Sequence, residues 1–399
     1  MKAILLIGLH GSSVGGASKR YVNLYNYISQ HNDDYCLIID DVLYNSFLEN
    51  KLLHTTRNVF VIKLSRRIRK TSLSREKITD ISINKKTPTN PVILFLGKNK
   101  MFLRLLIKWL TFAKQFHKII KIYNIHLIYG VWLGGIWSWP LKRMFKFKLI
   151  FSLNSYFIDD CSKKYYDFFS SVYWVSKYCD QIDFLSPAIV GFYKKKIGKL
   201  NPDRELITPN SFINYENYYP EQIKSKSIIF SGRLCEHKHP HLFLEAIKIF
   251  NSNNPQLSTN IKFIVLGDSG IEKKLHKYAR DNELFNLYFE GAVFNPWVYL
   301  RKSIIFISIQ GNNYPSQSLI EAMACENAII ASDVGETRRL VTENEGILVP
   351  LNSDKIAQAI QFFLEHPEEC EQMGKNARQK VLKEQSIEKF ADYFLKITK

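Results

Sequence analysis

The segment Ile304–Val341 restricts the possible folds of this chain more than any other stretch. It contains an apolar, β-branched run over Ile304–Ile309, a polar loop, a helical pattern that starts near Ser316, and a second apolar run over Ala328–Ala331. Short apolar runs that alternate with helical patterns are typical of a parallel sheet whose strands are connected by helices. The segment therefore predicts a β-loop-α-β-loop-α unit and, with it, an α/β fold.

The loop and the helix start inside this segment form a candidate binding site. In open parallel sheets, ligands bind at the carboxyl ends of the strands, and a helix start offers free N–H groups and a positive dipole end to a phosphate. Ser316 is a candidate N-cap whose hydroxyl accepts one of these N–H groups. Glu321 follows one turn later, where a carboxylate can accept hydrogen bonds from paired ribose hydroxyls. An ordinary βα turn with a solvated glutamate explains the same residues, so both interpretations stay open.

The same alternation of strand and helix patterns continues through both halves of the chain. With 399 residues, of which 46% are hydrophobic and 23% charged, the chain is long enough for two domains with separate cores. Further strands are predicted at Lys2–Gly8, Cys36–Asp40, His126–Val131, Lys148–Leu153, Gln181–Ser186, Ser227–Ser231, Ile261–Gly267 and Leu287–Phe289. The polar, basic stretch Ser65–Pro91 is predicted to be a loop or insertion.

Composition and cysteine spacing bear on the compartment of the protein. No apolar run reaches the length of a membrane span, and the run Met1–Leu9 is too short for the apolar part of a signal peptide. The six cysteines are scattered without metal-ligand spacing, which predicts buried free thiols in a reducing compartment. We therefore expect a cytoplasmic protein.

Positive charge is concentrated in one part of the sequence. The formal net charge is +18, and Val61–Ile150 contains 20 basic but only two acidic residues, so this stretch alone carries a net +18. Such asymmetry indicates an anionic partner, which can be a membrane surface, a nucleic acid or an acidic lipid-linked substrate. Because no nucleic-acid-binding module is recognisable, nucleic acid is not expected as a partner.

Asn99–Ile122 shows a clear helical pattern within this basic stretch. At about 100° per residue, its polar and apolar residues fall on opposite faces. The polar face contains Arg104, Lys108, Thr111, Lys114, Gln115, Lys118 and Lys121, and the apolar face contains Phe102, Leu105, Leu106, Trp109, Phe112, Phe116, Ile119 and Ile120. A helix whose apolar face packs on the sheet is the simpler interpretation. The basic face, with Arg66–Lys70 and Lys142–Lys148, can in addition contact anionic headgroups.

Three further motifs follow predicted strands. Gly15-Gly16 follows the first strand, where glycines allow a ligand to approach the backbone. Gly232-Arg233-Leu234, with Lys238 shortly after, follows Ser227–Ser231. Two cations at a strand end can neutralise a leaving diphosphate without a metal, although a solvated basic turn is the alternative. Trp132, Trp137 and Trp139 suit sugar stacking, membrane-interface contact or core packing.

These motifs resemble the donor-binding signature of glycosyltransferase family 4, the retaining enzymes of GT-B fold, in the form found in bacterial surface-polysaccharide assembly. Leu319-Ile320-Glu321-Ala322-Met323-Ala324 resembles the family pattern Leu/Ile-Glu-Ala-Met-Ala, and the Gly232 motif resembles the family's Gly-Arg-Leu with a following Lys. The resemblance is specific from about Ser227 to Pro350. It implies two Rossmann-like domains that face each other across a central cleft: 1–205 on the acceptor side and 206–378 for the nucleotide sugar. Residues 379–399 are then a helix that packs back on the first domain.

The resemblance also implies roles for individual residues. Arg233 and Lys238 stabilise the departing diphosphate, Glu321 holds the ribose, and Asn313 contacts the sugar. The remaining donor-binding positions are Gly15, Gly16, Gly232, Val293, Ser316, Gln317 and Ser318, and the acceptor-side positions are Asn154 and Trp132. Asn313 stands where the family has a glutamate and Asn154 where many members have a histidine. An amide can bind a sugar hydroxyl but cannot stabilise a developing positive charge as a carboxylate does.

The expected function is retaining transfer of a hexose or N-acetylhexosamine from a nucleotide-diphosphate sugar. UDP is expected as the nucleotide of the donor in preference to GDP. The acceptor is a hydroxyl of a lipid-linked or oligosaccharide substrate, and the enzyme is peripheral at the inner face of the plasma membrane. Neither a cofactor nor a metal is expected; the histidines 237, 239 and 241 and the pair Asp159-Asp160 are interpreted as surface residues. The two asparagine replacements leave a second interpretation, a catalytically weak or inactive GT-B subunit that binds nucleotide and partners another transferase.

Overall fold

The computed structural model describes residues 1–8, 16–64, 91–154, 171–209, 215–268, 270–311 and 316–399. Gly15, Asn313, Asp159-Asp160 and the predicted loop up to residue 90 lie outside the described residues. The chain forms two compact units, the first consisting of Met1–Thr208 with Ala391–Lys399 and the second of Pro209–Phe390. The first unit ends at Thr208, close to residue 205, where the sequence predicted the end of the first domain.

The first unit contains a parallel sheet of seven strands within the described residues. Its strands are β1 (Lys2–Leu6), β2 (Tyr35–Asp40), β3 (Val59–Ile62), β4 (Leu127–Val131), β5 (Lys148–Leu153), β6 (Gln181–Phe184) and β7 (Glu205–Ile207). They lie in the order β3-β2-β1-β4-β5-β6-β7. The two strands that the sequence analysis missed, β3 and β7, are the edges of the sheet. They are only partly buried and contain only four and three residues, so they give a weaker sequence pattern than the longer central strands.

Helices connect these strands, and one of them differs from its sequence-based description. The helices are α1 (Gly16–Ile28), α2 (Asp41–Glu49), α3 (Pro91–Ile122), α4 (Leu133–Ser138), α5 (Lys142–Phe145), α6 (Val172–Tyr178) and α7 (Pro187–Lys196). Helix α3 begins at Pro91 rather than Asn99. Its predicted inner residues Phe112, Phe116 and Ile120 are buried. Leu103, Ile107 and Leu110, which belonged to neither predicted face, form an exposed apolar row beside the basic residues.

The last residues of the chain contribute to the core of the first unit. They belong to helix α16 (Ile387–Ile397), whose Phe394 ring lies 4.9 Å from the ring of Tyr129. The buried carboxylate of Asp183 on β6 accepts hydrogen bonds from Tyr129 at 2.5 Å and from Tyr393 at 2.7 Å. The Tyr35 and Thr398 hydroxyls are 2.6 Å apart. A segment remote in sequence therefore completes this part of the first unit.

The second unit contains a parallel sheet of six strands within the described residues. Its strands are β8 (Ser227–Ser231), β9 (Lys262–Leu266), β10 (Leu287–Gly291), β11 (Ile305–Ser308), β12 (Ala328–Ser332) and β13 (Gly346–Val349). The helices are α8 (Pro240–Asn253), α9 (Pro255–Ser258), α10 (Glu272–Asp281), α11 (Trp297–Leu300), α12 (Gln317–Ala324), α13 (Thr337–Leu340), α14 (Ser353–Glu365) and α15 (Pro367–Glu384). The order β10-β9-β8-β11-β12-β13 reverses direction between β8 and β11. Ligands of doubly wound folds bind at such a switch point.

Apolar side chains cover both faces of this second sheet. Ile228 and Phe230 of β8 point into one hydrophobic cluster, and Ile229 between them points into the other. Helix α12 is buried on all sides over Leu319–Ala324. All strands predicted above are present, with ends that differ by one or two residues. Two Rossmann-like α/β domains, predicted from the sequence, are thus confirmed.

Two other expectations concern cysteines and membrane spans. Cys36, Cys179, Cys325 and Cys370 are buried free thiols, as predicted, whereas Cys235 is half-buried. Within the described part of the chain, no helix has both the length and the apolar character needed to cross a membrane.

Candidate functional site

The turn after β8 leaves open space beside its backbone. Gly232 has a φ of +153°, and a Cβ added there would meet no atom of the described residues within 4 Å. The neighbouring turn after β9 packs tightly against it: a Cβ at Gly267 would lie 1.9 Å from the Gly232 carbonyl oxygen. Side chains are thus excluded on one side of the turn, and the other side is free to receive a ligand at the carboxyl end of β8.

Lys238 connects this region to the end of β11. Its Nζ donates a 2.6 Å hydrogen bond to Oε1 of Gln310, whose side chain is buried. Burial lowers the pKa of Lys238 to about 8; Cys235 acts in the opposite direction and Arg233 in the same direction. The Arg233 side chain itself is exposed. The predicted pair of cations is therefore present at the end of β8, with Lys238 half-buried and Arg233 exposed.

The first turn of α12 is tied to the end of β8. The Ser318 hydroxyl donates to the Ser231 carbonyl at 3.0 Å. Ser316 occupies the N-cap position, but its hydroxyl lies 2.9 Å from the Ser318 hydroxyl and forms no capping bond. The expected capping role of the Ser316 hydroxyl was therefore wrong, because the Ser318 hydroxyl is the nearer partner. The N–H groups of a first helical turn have no intrahelical acceptor, and half-buried Gln317 lies in this turn.

Glu321 is buried one turn further along α12, with 6% of its surface exposed. The hydroxyl of Tyr218 donates a hydrogen bond to it. Burial, together with the Glu321 charge, holds the pKa of Tyr218 well above its ordinary value, so Tyr218 stays protonated and remains a donor. Val293, in the loop after β10, packs against the same hydrophobic cluster as Tyr218. The carboxylate is thus held in a fixed orientation by a buried donor.

The first unit carries the other predicted positions. Gly16 is exposed at the start of α1, and Trp132, which follows β4, has a φ of +46°, a left-handed conformation that is rare for a tryptophan. Asn154 follows β5; its Oδ1 accepts from the hydroxyls of Tyr21 and Ser152, each at 3.3 Å. These residues lie at or beyond the carboxyl ends of the strands, the edge where α/β sheets bind ligands.

The tryptophans after β4 play different parts. Trp137 is fully buried and contacts Phe112 edge-on with ring centroids 5.5 Å apart. Trp139 stacks on Tyr178 at 4.9 Å. Core packing is therefore the role of Trp137, and Trp132 is the member of the three that stands at the strand end.

Potential metal ligands do not cluster in the part of the chain that the structure describes. No group of three or more His, Cys, Asp or Glu side chains among them is placed to hold a metal ion. The rings of His239 and His241 lie 5.5 Å apart, edge to face.

The second unit thus brings Gly232, Lys238, Ser316 and Ser318 together around the ends of β8 and β11, with Glu321 further along the same helix. Sequence reasoning missed two participants, Gln310 and Tyr218. Gln310 directly follows the apolar run of β11, and a polar residue at the carboxyl end of a buried parallel strand indicates a possible binding position. The sequence around Tyr218 contains no comparable pattern.

Comparisons with known proteins support this description. Residues 214–380, which include Arg233, Lys238, Ser316 and Glu321, match the family described as glycosyl transferases group 1. A Campylobacter jejuni protein named GalNAc-alpha-(1->4)-GalNAc-alpha-(1->3)-diNAcBac-PP-undecaprenol alpha-1,4-N-acetyl-D-galactosaminyltransferase is 24% identical over 207 residues, 51% of this chain. D-rhamnosyltransferase WbpZ of Pseudomonas aeruginosa is 23% identical over 167 residues, 40% of this chain. The matches span 55% and 42% of these relatives, about half their length.

A solved structure extends the likeness to the whole fold. The crystal structure of Anabaena HepE in complex with UDP matches 100% of this chain and 99% of its own, with a TM-score of 0.70 at 14% identity. The two units of the chain therefore have the same folds as HepE, and the likeness to glycosyl transferases group 1 is specific to residues 214–380.

Proposed function

We propose that the protein is a retaining glycosyltransferase of family 4 type. It transfers a hexose or N-acetylhexosamine from a nucleotide-diphosphate sugar, with UDP ahead of GDP, to a hydroxyl of a lipid-linked or oligosaccharide acceptor in surface-polysaccharide assembly. The observation that carries the proposal is the meeting of Lys238, the open turn at Gly232 and the start of α12 at the switch point of a group 1 domain. UDP is supported by the HepE complex, and a lipid-linked acceptor by the undecaprenol in the name of the Campylobacter relative.

In this mechanism the diphosphate lies in the space beside Gly232. As the bond to the anomeric carbon breaks, negative charge grows on the diphosphate. Lys238, Arg233 and the N–H groups at Ser316–Ser318 are already oriented, so they stabilise this charge more than that of the bound donor. No metal is required, because these groups supply the positive potential; activity retained in EDTA tests this point.

The other residues bind the remaining parts of the substrates. Glu321, oriented by Tyr218, accepts hydrogen bonds from the ribose hydroxyls, and Val293 lies on the side of the base. Asn313 contacts the sugar through its amide. Gly15 and Gly16 complete the donor side, while Asn154 and Trp132 contact the acceptor. Retention is tested by the anomeric configuration of the product, read by NMR.

UDP is expected to raise the melting temperature of the wild type but not of Glu321→Ala, because the variant lacks the ribose-binding carboxylate. A ligand at about 100 times its dissociation constant adds about 2.7 kcal/mol to the free energy of unfolding. The measurement is a thermal-shift screen of UDP, GDP and ADP. Glu345→Ala is the matched control, because Glu345 is also buried, at 7% exposed, but stands at the amino end of β13 and binds Thr342 and Lys380.

The outcomes of this screen separate the alternatives. A wild type that responds to none of the three nucleotides contradicts a donor site in the second unit. A Glu321→Ala variant that responds as well as the wild type contradicts the role of Glu321 alone. Nucleotide binding without turnover of any nucleotide sugar favours the inactive-subunit interpretation.

We further propose that the basic face of 61–150 brings the enzyme to an anionic membrane surface, at the inner face of the plasma membrane. On the described part of α3, Leu103, Ile107 and Leu110 are 56%, 45% and 54% exposed. The basic residues Arg104, Lys108, Lys114, Lys118 and Lys121 are exposed on the same helix, and the sequence from 91 to 150 contains no acidic residue. Exposed apolar side chains next to lysines are the composition of a helix that lies in a bilayer interface.

Replacement of Lys114, Lys118 and Lys121 by serine is expected to reduce binding to vesicles with anionic lipid roughly 100-fold. Each basic residue near such a surface contributes about 1 kcal/mol. Vesicle flotation at several salt concentrations measures the effect. The control replaces Lys273, Lys274 and Lys277, exposed on α10 of the second unit, by serine and should bind as the wild type does. Equal loss in both variants would show nonspecific attraction, and tight binding of duplex DNA would favour nucleic acid instead.

A further inference from the structure

Gln310 is held in place more firmly than any role assigned above requires. Its side chain is 1% exposed, and its Oε1 accepts the 2.6 Å hydrogen bond from Lys238. Its backbone is bonded twice to Ser332 at the end of β12. The Gln310 N–H donates to the Ser332 hydroxyl at 3.0 Å, and that hydroxyl donates to the Gln310 carbonyl at 2.8 Å. The ends of β11 and β12 together fix this amide.

The partner of Lys238 is uncharged, although this ammonium is half-buried. The titratable or charged groups that act on it are Cys235 and Arg233, and among the described residues Lys238 forms no ion pair with a carboxylate. A carboxylate in place of Gln310 would hold the ammonium as well but would also neutralise it. An amide fixes the position of the charge and leaves it available to another anion.

We propose that Gln310 is a positioning residue of the donor site: its amide oxygen holds the Lys238 ammonium at the ends of β8 and β11, and its neutrality keeps that charge available for the donor diphosphate. The inference rests on the proposed function, because it assigns a role within the same site. A consequence is proton uptake on binding. The pKa of Lys238 in the free protein is about 8, and a bound diphosphate raises it. The affinity should therefore be constant at lower pH and decline as the pH rises above about 8.

Two variants of Gln310 shift this behaviour in opposite directions. Gln310→Glu preserves shape but adds a negative charge, so the affinity for UDP at neutral pH should fall about tenfold. The added negative charge also raises the pKa of Lys238, so the decline in UDP affinity begins at a higher pH. Gln310→Met removes the acceptor of the Lys238 hydrogen bond and lowers this pKa, so the decline in UDP affinity begins at a lower pH. A residue that only filled space would not produce opposite shifts.

The experiment is calorimetric titration with UDP and with inorganic pyrophosphate across this pH range. Each titration is run in two buffers of different ionisation enthalpy, so that the protons taken up are counted. Pyrophosphate has no nucleobase, so its binding tests the phosphate site independently of which nucleotide base the protein recognises. The matched control is Gln358→Glu on α14, because Gln358 also accepts a hydrogen bond from a lysine, Lys355, at 3.0 Å, but on an exposed surface. This control should bind both ligands like the wild type.

The pKa of Lys238 is also measured without ligand, by NMR titration of ¹³C-lysine-labelled protein with the signal assigned through Lys238→Arg. Gln310→Glu and Gln310→Met should shift it up and down, respectively. If the midpoint is the same in both variants while UDP binds the wild type, the inference is wrong and the proposed function stands. If the wild type binds neither pyrophosphate nor any of UDP, GDP and ADP, the proposed function is wrong, and the diphosphate role of Gln310 falls with it.

Discussion

Lys238→Met is expected to lower kcat by about 100- to 1,000-fold, with a much smaller change in KM for the nucleotide sugar. Removal of one fixed donor to a developing anion typically has an effect of this size. The charge on the diphosphate grows as the glycosidic bond breaks, so the lost interaction is stronger in the transition state than in the bound donor. The assay is release of the nucleoside diphosphate from the nucleotide sugar selected by the binding screen.

Two further variants make this experiment specific. Lys355→Met removes an exposed lysine that also donates to a glutamine and should leave kcat unchanged. Lys238→Arg keeps the charge but replaces a compact ammonium by a planar guanidinium, so we expect partial activity. A Lys238→Met variant with normal kcat and raised KM would show that Lys238 only binds the donor and does not stabilise the transition state.

Asp183→Ala is expected to lower the free energy of unfolding of the first unit by about 2–6 kcal/mol, because two hydroxyl donors lose their acceptor and each buried unsatisfied group costs about 1–3 kcal/mol. The substitution leaves the hydroxyls of Tyr129 and Tyr393 without their acceptor. It also removes the negative charge that acts on Asp183's neighbour Arg20, whose side chain is buried. Five of the six tryptophans, all except Trp297, belong to this unit, so tryptophan fluorescence in urea follows its unfolding.

The control is Asp33→Ala, which removes an exposed pair with Arg57 at 2.7 Å and should cost less than about 1 kcal/mol. If Asp183→Ala costs no more than this control, the network around Asp183 does not stabilise the first unit.

The Asp183 network also predicts a pH dependence with a definite sign. Burial raises the pKa of Asp183 from 3.8 to about 6, so the folded state binds this proton more tightly than the unfolded state does. The contribution of Asp183 to stability is therefore greatest below about pH 4, declines by about 3 kcal/mol as the pH rises to about 6, and is constant above. Asp183→Asn does not titrate. The difference in unfolding free energy between wild type and this variant should follow that curve, and a flat difference would contradict it.

The sequence predicted the framework of the fold and the main positions of the candidate site. Central strands such as Lys2–Leu6 are apolar at every position after the first because both faces of the sheet are covered, and this pattern is visible in the sequence. The proposed donor-binding residues Gly232, Arg233, Lys238 and Glu321 stand in motifs of local spacing, so they could be proposed from the sequence. The edge strands Val59–Ile62 and Glu205–Ile207 could not be predicted in this way, because they contain only four and three residues and are only partly buried.

The contacts that orient the site could not be predicted in this way. Lys238 and Gln310 are 72 residues apart, and no local pattern records that an amide at the end of β11 faces a lysine beyond β8. The Ser316 hydroxyl contacts the Ser318 hydroxyl rather than a backbone N–H. Which of these partners it contacts depends on distances within one helical turn, and the sequence does not show them. Helical periodicity also assigned no face to Leu103, whose exposure depends on neighbouring elements.

Because Ala391–Lys399 belongs to the first unit, that unit cannot reach its final form in the order in which the chain is synthesised. Asp183 and Tyr35 emerge from the ribosome before the whole of 209–390, and their partners Tyr393 and Thr398 emerge after it. At roughly 5–20 residues per second, the delay is on the order of 10 to 40 seconds. Throughout that interval the aromatic surface at Tyr129 is accessible to chaperones and to other nascent chains, and the first unit is complete only when the last turn of α16 is in place.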